Sequence, residues 1–484
     1  MDNQNYDVII AGTGVGGLYT ALTLPQSLKI LVISKRELEL CNSMLAQGGI
    51  AAVYKPVDDD NVNLHTNDTL IAGGFKNNPD SLKVLVNEAA TEIQHILDIG
   101  VEFDKEEDGN YDRTLEGGHS RRRIFHYKDS TGAEITSKIR KAVLGLSNVT
   151  VLDNALLCRL KKIGGGFAAD ILRNGEHFTC TSQFMVLATG GIGRVYDYTT
   201  NSAIATGDGI ALAEELGAEI RNLSLIQFHP TAYNNKESRE CFLISESVRG
   251  EGAYLLNCHK ERFMDRYDER LELAPRDVVS RSIILESRRT ESDEFYLDIR
   301  YKGKEYLSER FPMIFDFLLT QGIDMSKDLI PIFPCQHYLM GGINVNTDAE
   351  TDVNGLYAVG ECSHTGVHGN NRLASNSLLE ALVFGHQAAI DIEKKYNPDF
   401  TAEEFTFAQP ENAVPIPHGI RTEIRHIMQS SFFVIPNKEK ALDGFERIAK
   451  IKKMLDSGAY IIDRDYVEAR SLAAVAYLIL KEAI

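Results

Sequence analysis

Short, continuous apolar runs alternate along this chain with glycine clusters, and the runs have the length of buried strands. Tyr6-Asp7-Val8-Ile9-Ile10-Ala11 is the first, rich in β-branched residues and too short for a helix. It leads into Gly12-Thr13-Gly14-Val15-Gly16-Gly17, then a helical spacing from Leu18 to Leu24, then a second strand-like run from Lys29 to Ser34. The order predicted is strand, glycine turn, helix, strand, a unit of about thirty residues. Pro79 to Gly100 has helical apolar spacing with Gly100 as its cap. Val149 to Leu160 and Phe167 to Leu172 alternate as strands around Gly164-Gly165-Gly166, and Phe184 to Ala188 ends at Thr189-Gly190-Gly191.

From about residue 223 to 338 this rhythm is lost, and paired charges such as Arg262, Asp265, Arg266 and Asp268 take its place. The strand signal returns at Gly355 to Glu361. It is followed by a helix from Ser377 to Ile392, read as opened by a Ser377…Glu380 capping box. A domain split by an insertion explains the return. Beyond a Pro-containing link (395–418), Ile420 to Leu455 and Val467 to Leu480 are helical. The divisions read are 1–222 with 339–400, an inserted unit at 223–338, and a helical unit at 415–484.

Composition narrows the class. At 484 residues the chain calls for about three cores. A formal net charge of -18 excludes a nucleic-acid or anionic-membrane surface, so an anionic ligand must find local arginines. The 7 cysteines are scattered and lack a C-x-x-C pair, which reads as reduced thiols with no metal site. No signal region or bilayer-length apolar run is visible, so the chain reads as cytoplasmic.

Gly12, Gly14 and Gly17 have the spacing that lets a backbone turn tightly, approach a pyrophosphate and pack the following helix, whose free N–H groups face the phosphates. Where an acid for a ribose normally ends the second strand, Ser34-Lys35 stands instead, which argues against a dinucleotide of the nicotinamide type. Three later pieces point to FAD. Thr189-Gly190-Gly191 returns glycines to the phosphates, Asp208 lies between glycines ahead of a helix, and Glu361 with Asn376-Ser377-Leu378 aims a helix N-terminus at the flavin pyrimidine edge.

Four further motifs resemble those of the flavoprotein family of succinate dehydrogenase, fumarate reductase and L-aspartate oxidase, over nearly the whole chain. They are Ala46-Gln47-Gly48-Gly49-Ile50-Ala51-Ala52, Gln227-Phe228-His229-Pro230-Thr231, Arg249-Gly250-Glu251-Gly252-Ala253 and His368-Gly369-Asn370-Asn371-Arg372-Leu373. The resemblance implies an α/β fold: a two-segment Rossmann-like FAD-binding domain, an inserted α+β capping domain and a C-terminal helical bundle. It adds Asn42, Ser43, Asn154 and Ala155 to the FAD contacts. Asn42 stands where membrane-complex members carry the histidine that bonds the flavin, so FAD is expected to be non-covalent. The family's tail rich in Arg, Glu, Ser and His is expected to be absent, since the chain stops at Ile484.

The segment Glu116-Gly117-Gly118-His119-Ser120, with Arg123-Ile124, His126 and Asp129-Ser130-Thr131-Gly132, resembles the aspartate-oxidising branch. Dicarboxylate-only members have an uncharged residue at Glu116, and a carboxylate there would recognise a substrate ammonium. The resemblance implies that His229, Arg276, His337 and Arg372 converge on two substrate carboxylates, with Ser245 and Glu246 beside them; Arg249 is read as a structural ion pair. In the family Arg276 moves the proton, but a guanidinium is a poor base, so orientation and electrostatics are the roles expected of it. The implied activity is oxidation of L-aspartate to iminoaspartate, with oxygen (giving peroxide) or fumarate (giving succinate) as acceptor. Quinolinate synthase would be the metabolic successor, in NAD synthesis. A soluble fumarate reductase or succinate-oxidising enzyme is the alternative, with Glu116 as discriminator; a non-catalytic flavin-binding protein is a third reading, opposed by the intact set of His229, Arg276, His337 and Arg372. Gly341-Gly342 is a candidate hinge.

Overall fold

In the computed structural model, which describes residues 4–57, 59–235 and 237–484, strand Gln4–Ala11 lies at the centre of a 7-stranded sheet. Parallel strands flank it: Ile30–Ile33 on one side, followed by Val149–Leu152, and the end of Glu176–Leu187 on the other. The late strand Leu356–Ala358 then pairs with Glu176–Leu187, Leu356 opposite Met185 and Ala358 opposite Leu187. Val8, Ile9 and Ile10 have no exposed surface, because helices and the C-terminal bundle cover both faces of the sheet. That is why these strands read as unbroken apolar runs and not as alternating ones.

Helix Val15–Thr23 leaves the glycine turn and packs against helix Asn376–Lys395 through Gly385, which lies against the Gly16 carbonyl and Thr20. Helix Pro79–Asp98 ends as read: Gly100 has φ +92°, and the N–H groups of Gly100 and Val101 return to the carbonyls of Leu97 and Ile96 at 2.9 and 3.0 Å.

Three expectations are corrected. The run from Val149 to Leu160 is two strands, Val149–Leu152 and Ala155–Ile163, because Asn154 turns the chain at φ +47°. The first strand is parallel to Ile30–Ile33, whereas the second forms an antiparallel hairpin with Gly166–Arg173. The run from Ile420 to Leu455 is likewise two helices, Ile420–Ser431 and Lys438–Leu455, divided at Pro436 and restarted by Asn437, whose side chain accepts from Lys440 N at 3.1 Å. The Ser377…Glu380 capping box is not formed. Ser375 is the N-cap, and Glu380 is buried, accepting instead from Thr365, His368 and Tyr338 at 2.5, 2.8 and 2.9 Å.

Residues from Ile226 to Leu339 build a 4-stranded antiparallel sheet ordered Ile226–Tyr233, Ile330–Leu339, Phe295–Asp298, Tyr254–Leu256. Helices Arg276–Thr290 and Pro312–Thr320 close a separate core there around Ile244, Leu255, Phe263, Ile283, Phe295 and Ile314. The two crossings into this region touch: a side chain at Gly341 would overlap the Asn222 carbonyl. Helix Arg464–Ala483 and the two before it share their core with one face of the large sheet. Among the described residues no helix is long and apolar enough to cross a membrane, and all seven cysteines are free.

Candidate functional site

A cavity of about 790 Å³ opens at the ends of the central parallel strands, reaching Ala11, Ile33, Ala188 and Val359. At its narrow wall the glycine turn has no room for side chains. Gly12 has φ +123°, and a Cβ there would overlap the Ala188 carbonyl; one at Gly17 would overlap the Gly12 carbonyl. The Val15 N–H donates to Ser43 Oγ at 3.0 Å, Thr13 Oγ1 donates to Ser34 Oγ at 3.0 Å, and Lys35 Nζ bridges Thr206 and Asp208 at 2.6 and 2.8 Å.

Two helices point uncapped N-termini at this space. Neither Val15–Thr23 nor Asn376–Lys395 has a side-chain cap. Gln47 Oε1, buried and without a partner, belongs to a residue of the same wall. An elongated pocket with a Cβ-free cradle, two free helix ends and an unpaired buried acceptor fits a flavin dinucleotide.

Of the residues expected to contact it, Gly12, Thr13, Gly14, Val15, Gly16, Ser34, Lys35, Asn42, Ser43, Ala46, Gln47, Gly48, Gly49, Ala155, Thr189, Gly190, Asp208, Glu361, Ser377 and Leu378 all line the cavity. Gly17, Asn154 and Asn376 do not. Gly17 packs the helix on the turn, Asn154 makes the bend between strands, and the Asn376 side chain faces away to His65 at 2.9 Å and Thr69 at 3.1 Å. Burial pushes the Glu361 carboxyl up to about 7, against the pull of the Leu339 N–H it accepts from at 3.0 Å.

The other end of the cavity is cationic. Glu116, His229, Ser245, Glu246, Arg276, His337 and Arg372 all line it. His229 lies on strand Ile226–Tyr233 at an irregularity between His229 and Ala232, which turns its side chain off the ladder; Pro230 is tolerated there because no ladder N–H is needed. His337 lies on the neighbouring strand with its ring centroid 4.9 Å from that of His229. Thr231 N donates to His229 Nδ1 at 3.2 Å, so the proton sits on Nε2, which is buried and unpartnered. His337 Nδ1 meets Thr200 Oγ1 at 2.6 Å. Burial, then Arg276, holds both imidazoles well below the usual histidine range, so both are neutral.

Arg276 opens helix Arg276–Thr290 immediately after Pro275 and donates from Nε to Glu246 Oε2 at 2.5 Å. Arg249 pairs with the other Glu246 oxygen at 3.2 Å and has no exposed side-chain surface. Burial would raise Glu246, but Arg276 and Arg249 outweigh it and hold the carboxyl below its ordinary value. Glu116 differs: burial and then the Glu246 charge push it up. Its Oε2 accepts from Ser375 Oγ at 2.5 Å. Ser245 N-caps the short helix Glu246–Gly250.

Two residues outside the expected set organise this end. Gln227 takes bonds from both Arg276 and Arg372; its place two residues before His229 on the same strand face was a usable signal. Ser375 gave none, since its role depends on a left-handed φ of +62°. Away from the cavity, Glu92, His95 and His386 lie close together, and bonds from Tyr19 and His386 satisfy the buried Glu92.

The cradle and the cationic end define an FAD-dependent oxidoreductase. Residues 7–378 match the model of the FAD binding domain family. The L-aspartate oxidase of Acinetobacter baylyi is 38% identical over 500 residues, covering 99% of this chain and 91% of the relative. That of Clostridium perfringens is 44% identical over 388 residues, covering 80% of this chain and 86% of the relative. Among solved structures, a mutated E. coli quinol fumarate reductase superposes with a TM-score of 0.90 at 27% identity, covering 99% of this chain and 89% of its own. The chain belongs to this FAD-binding flavoprotein family, in its L-aspartate oxidase branch.

Proposed function

We propose that the protein oxidises L-aspartate to iminoaspartate with non-covalent FAD, and that Glu116 selects the amine. The observation that carries this reading is a buried carboxylate in the same wall as two arginines: Glu116 shares its end of the cavity with Arg276 and Arg372. A dianion needs the arginines, and a dianion bearing an ammonium needs an acid beside them.

FAD, when bound in the glycine cradle, supplies a two-electron acceptor. Arg276, Arg372, His337 and the unpaired His229 Nε2–H bind and orient the two carboxylates. Glu246, held by Arg249, fixes the Arg276 guanidinium in place, so Arg276 acts by orientation and charge. Residues 223–338 serve as a capping domain that excludes water, hinged at Gly341-Gly342, over a FAD domain of residues 1–222 and 339–400. Asn42 offers no imidazole for a covalent flavin link and instead accepts from Ser202 N at 2.9 Å.

Oxygen or fumarate takes the electrons, and the water-sensitive imine passes in the cytoplasm to quinolinate synthase for NAD synthesis. The test is anaerobic stopped-flow mixing of the FAD-loaded protein with L-aspartate and, separately, with succinate. Flavin bleaching by L-aspartate, lost in Glu116→Gln, is the expected result. Bleaching by succinate alone would replace this reading with that of a soluble fumarate reductase.

A further inference from the structure

Glu116 is held from behind by a buried clamp. The turn that follows it contains Gly117 and Gly118, which carry no side chains of their own, with Glu246 and Leu373 lying close against them, and it is held to its neighbours by hydrogen bonds. The His119 N–H closes the turn on the Glu116 carbonyl at 3.1 Å. The His119 ring then bonds the Ala374 carbonyl through Nε2 at 2.9 Å, and the next residue, Ser375, donates to Glu116 at 2.5 Å. Two side-chain bonds therefore tie the same two segments together, and only one of them reaches the cavity.

The direction of the His119 bond is fixed by a residue further back. Arg123 Nη1 lies 3.0 Å from His119 Nδ1, and a guanidinium can only donate, so Nδ1 accepts and Nε2 carries the proton. Arg123 is itself immobilised, with three bonds to Asp60 at 2.8, 3.1 and 3.2 Å and one to Asp68 at 2.5 Å. Asp68 also takes the Ser120 N–H and hydroxyl, both at 2.9 Å. His119 is buried and neutral: burial, with Arg123 adding to it, lowers its pKa to about 3.

We propose that His119 is a positioning residue for amine recognition: through the Ala374 carbonyl it fixes the Ser375 hydroxyl on Glu116, and so sets the preference for an amine-bearing dicarboxylate. This rests on the reading of Glu116 as the ammonium partner. The amine matters because Arg276, Arg372, His229 and His337 hold the carboxylates without help from His119. Disturbing the clamp should therefore affect aspartate and spare fumarate.

Two amides of different reach separate this role from a merely structural one. In His119→Asn the side-chain oxygen can still accept from Arg123, but no N–H extends to Ala374. In His119→Gln the longer side chain can donate to Ala374. The FAD-loaded full-length variants, with Glu116→Gln beside them, are assayed for L-aspartate oxidation and for fumarate reduction driven by a reduced dye; FAD content and melting temperature are recorded.

The expected result is a fall of tenfold or more in the aspartate-to-fumarate ratio of kcat/KM for His119→Asn, carried by KM for aspartate, with recovery to within about threefold in His119→Gln. Equal losses in the Asn and Gln variants, or a proportional fall in both reactions, would overturn the proposal. So would an unchanged ratio in His119→Asn while Glu116→Gln lowers it. An unchanged ratio in Glu116→Gln would overturn the reading of Glu116 and this proposal with it.

Discussion

Arg276 and Arg372 share one acceptor: the side-chain oxygen of Gln227 takes a bond from each, at 3.0 and 3.3 Å. The amide cannot turn over, because its nitrogen donates to Asn371 Oδ1 at 2.8 Å and to the Arg372 carbonyl at 2.9 Å. A neutral oxygen thus separates two buried guanidiniums. Burial, followed by the Arg276 charge, lowers Arg372 to about 10. Positive charge concentrated against burial in this way is relieved when a dianion enters, and with an overall charge of -18 the chain relies on this local field to draw a dicarboxylate in.

Gln227→Leu keeps the volume of this residue but removes the shared acceptor. A hydrogen bond to a charged group is worth about 1.5–3 kcal/mol, so the dissociation constant of succinate should rise by about tenfold or more, since the two guanidiniums then repel without a mediator. Flavin absorbance titration with succinate measures it. Unchanged affinity would show that Gln227 does not organise the pair.

Arg249→Met should destabilise the fold more than a surface change of the same type. It removes one of two cations from Glu246, and leaving a buried charge short of a partner costs about 3–5 kcal/mol. The urea midpoint of the FAD-loaded protein reads this. A shift no larger than that of Arg447→Met, on an exposed pair, would contradict the ion-pair role.

Gly12→Ala should abolish FAD retention. The residue has φ +123°, and the added Cβ would overlap the Ala188 carbonyl, a backbone atom that cannot swing aside. The protein should purify colourless, and added FAD should keep its free fluorescence. A yellow protein with wild-type FAD content would refute the close approach.

Acid should weaken the fold through its buried histidines. Burial lowers His65 and His364 to about 4 and His119 to about 3, and lowers His229 and His337 as well. A histidine depressed in the folded state contributes stability above its unfolded pKa of about 6.5 that is lost as pH falls toward the folded value. His126 and His386 are raised and act in the opposite sense, as does Glu361, which burial raises to about 7, but the five lowered histidines together carry the larger shift. Melting temperature should therefore decline from pH 7 to pH 5; a flat profile over that window would be inconsistent with neutral buried histidines.

The sequence by itself determined the glycine turn, the strands around it and the residue types of the site. Gly12, Gly14 and Gly17 are legible as a local spacing even though the atom that excludes a side chain at Gly12 is the distant Ala188 carbonyl, and a strand buried on both faces must be apolar throughout. The breaks in the longer runs were less visible: Asn154 is an ordinary polar residue until its positive φ divides Val149–Leu152 from Ala155–Ile163. Tertiary structure alone decided what Ser375 and Glu380 do. Ser377…Glu380 has the spacing of a capping box, yet Glu380 is drawn to Thr365, His368 and Tyr338, since a buried carboxylate goes where most donors converge. Glu116 and Ser375 are 259 residues apart, and no local pattern encodes a contact that exists only when the two chain segments fold against each other.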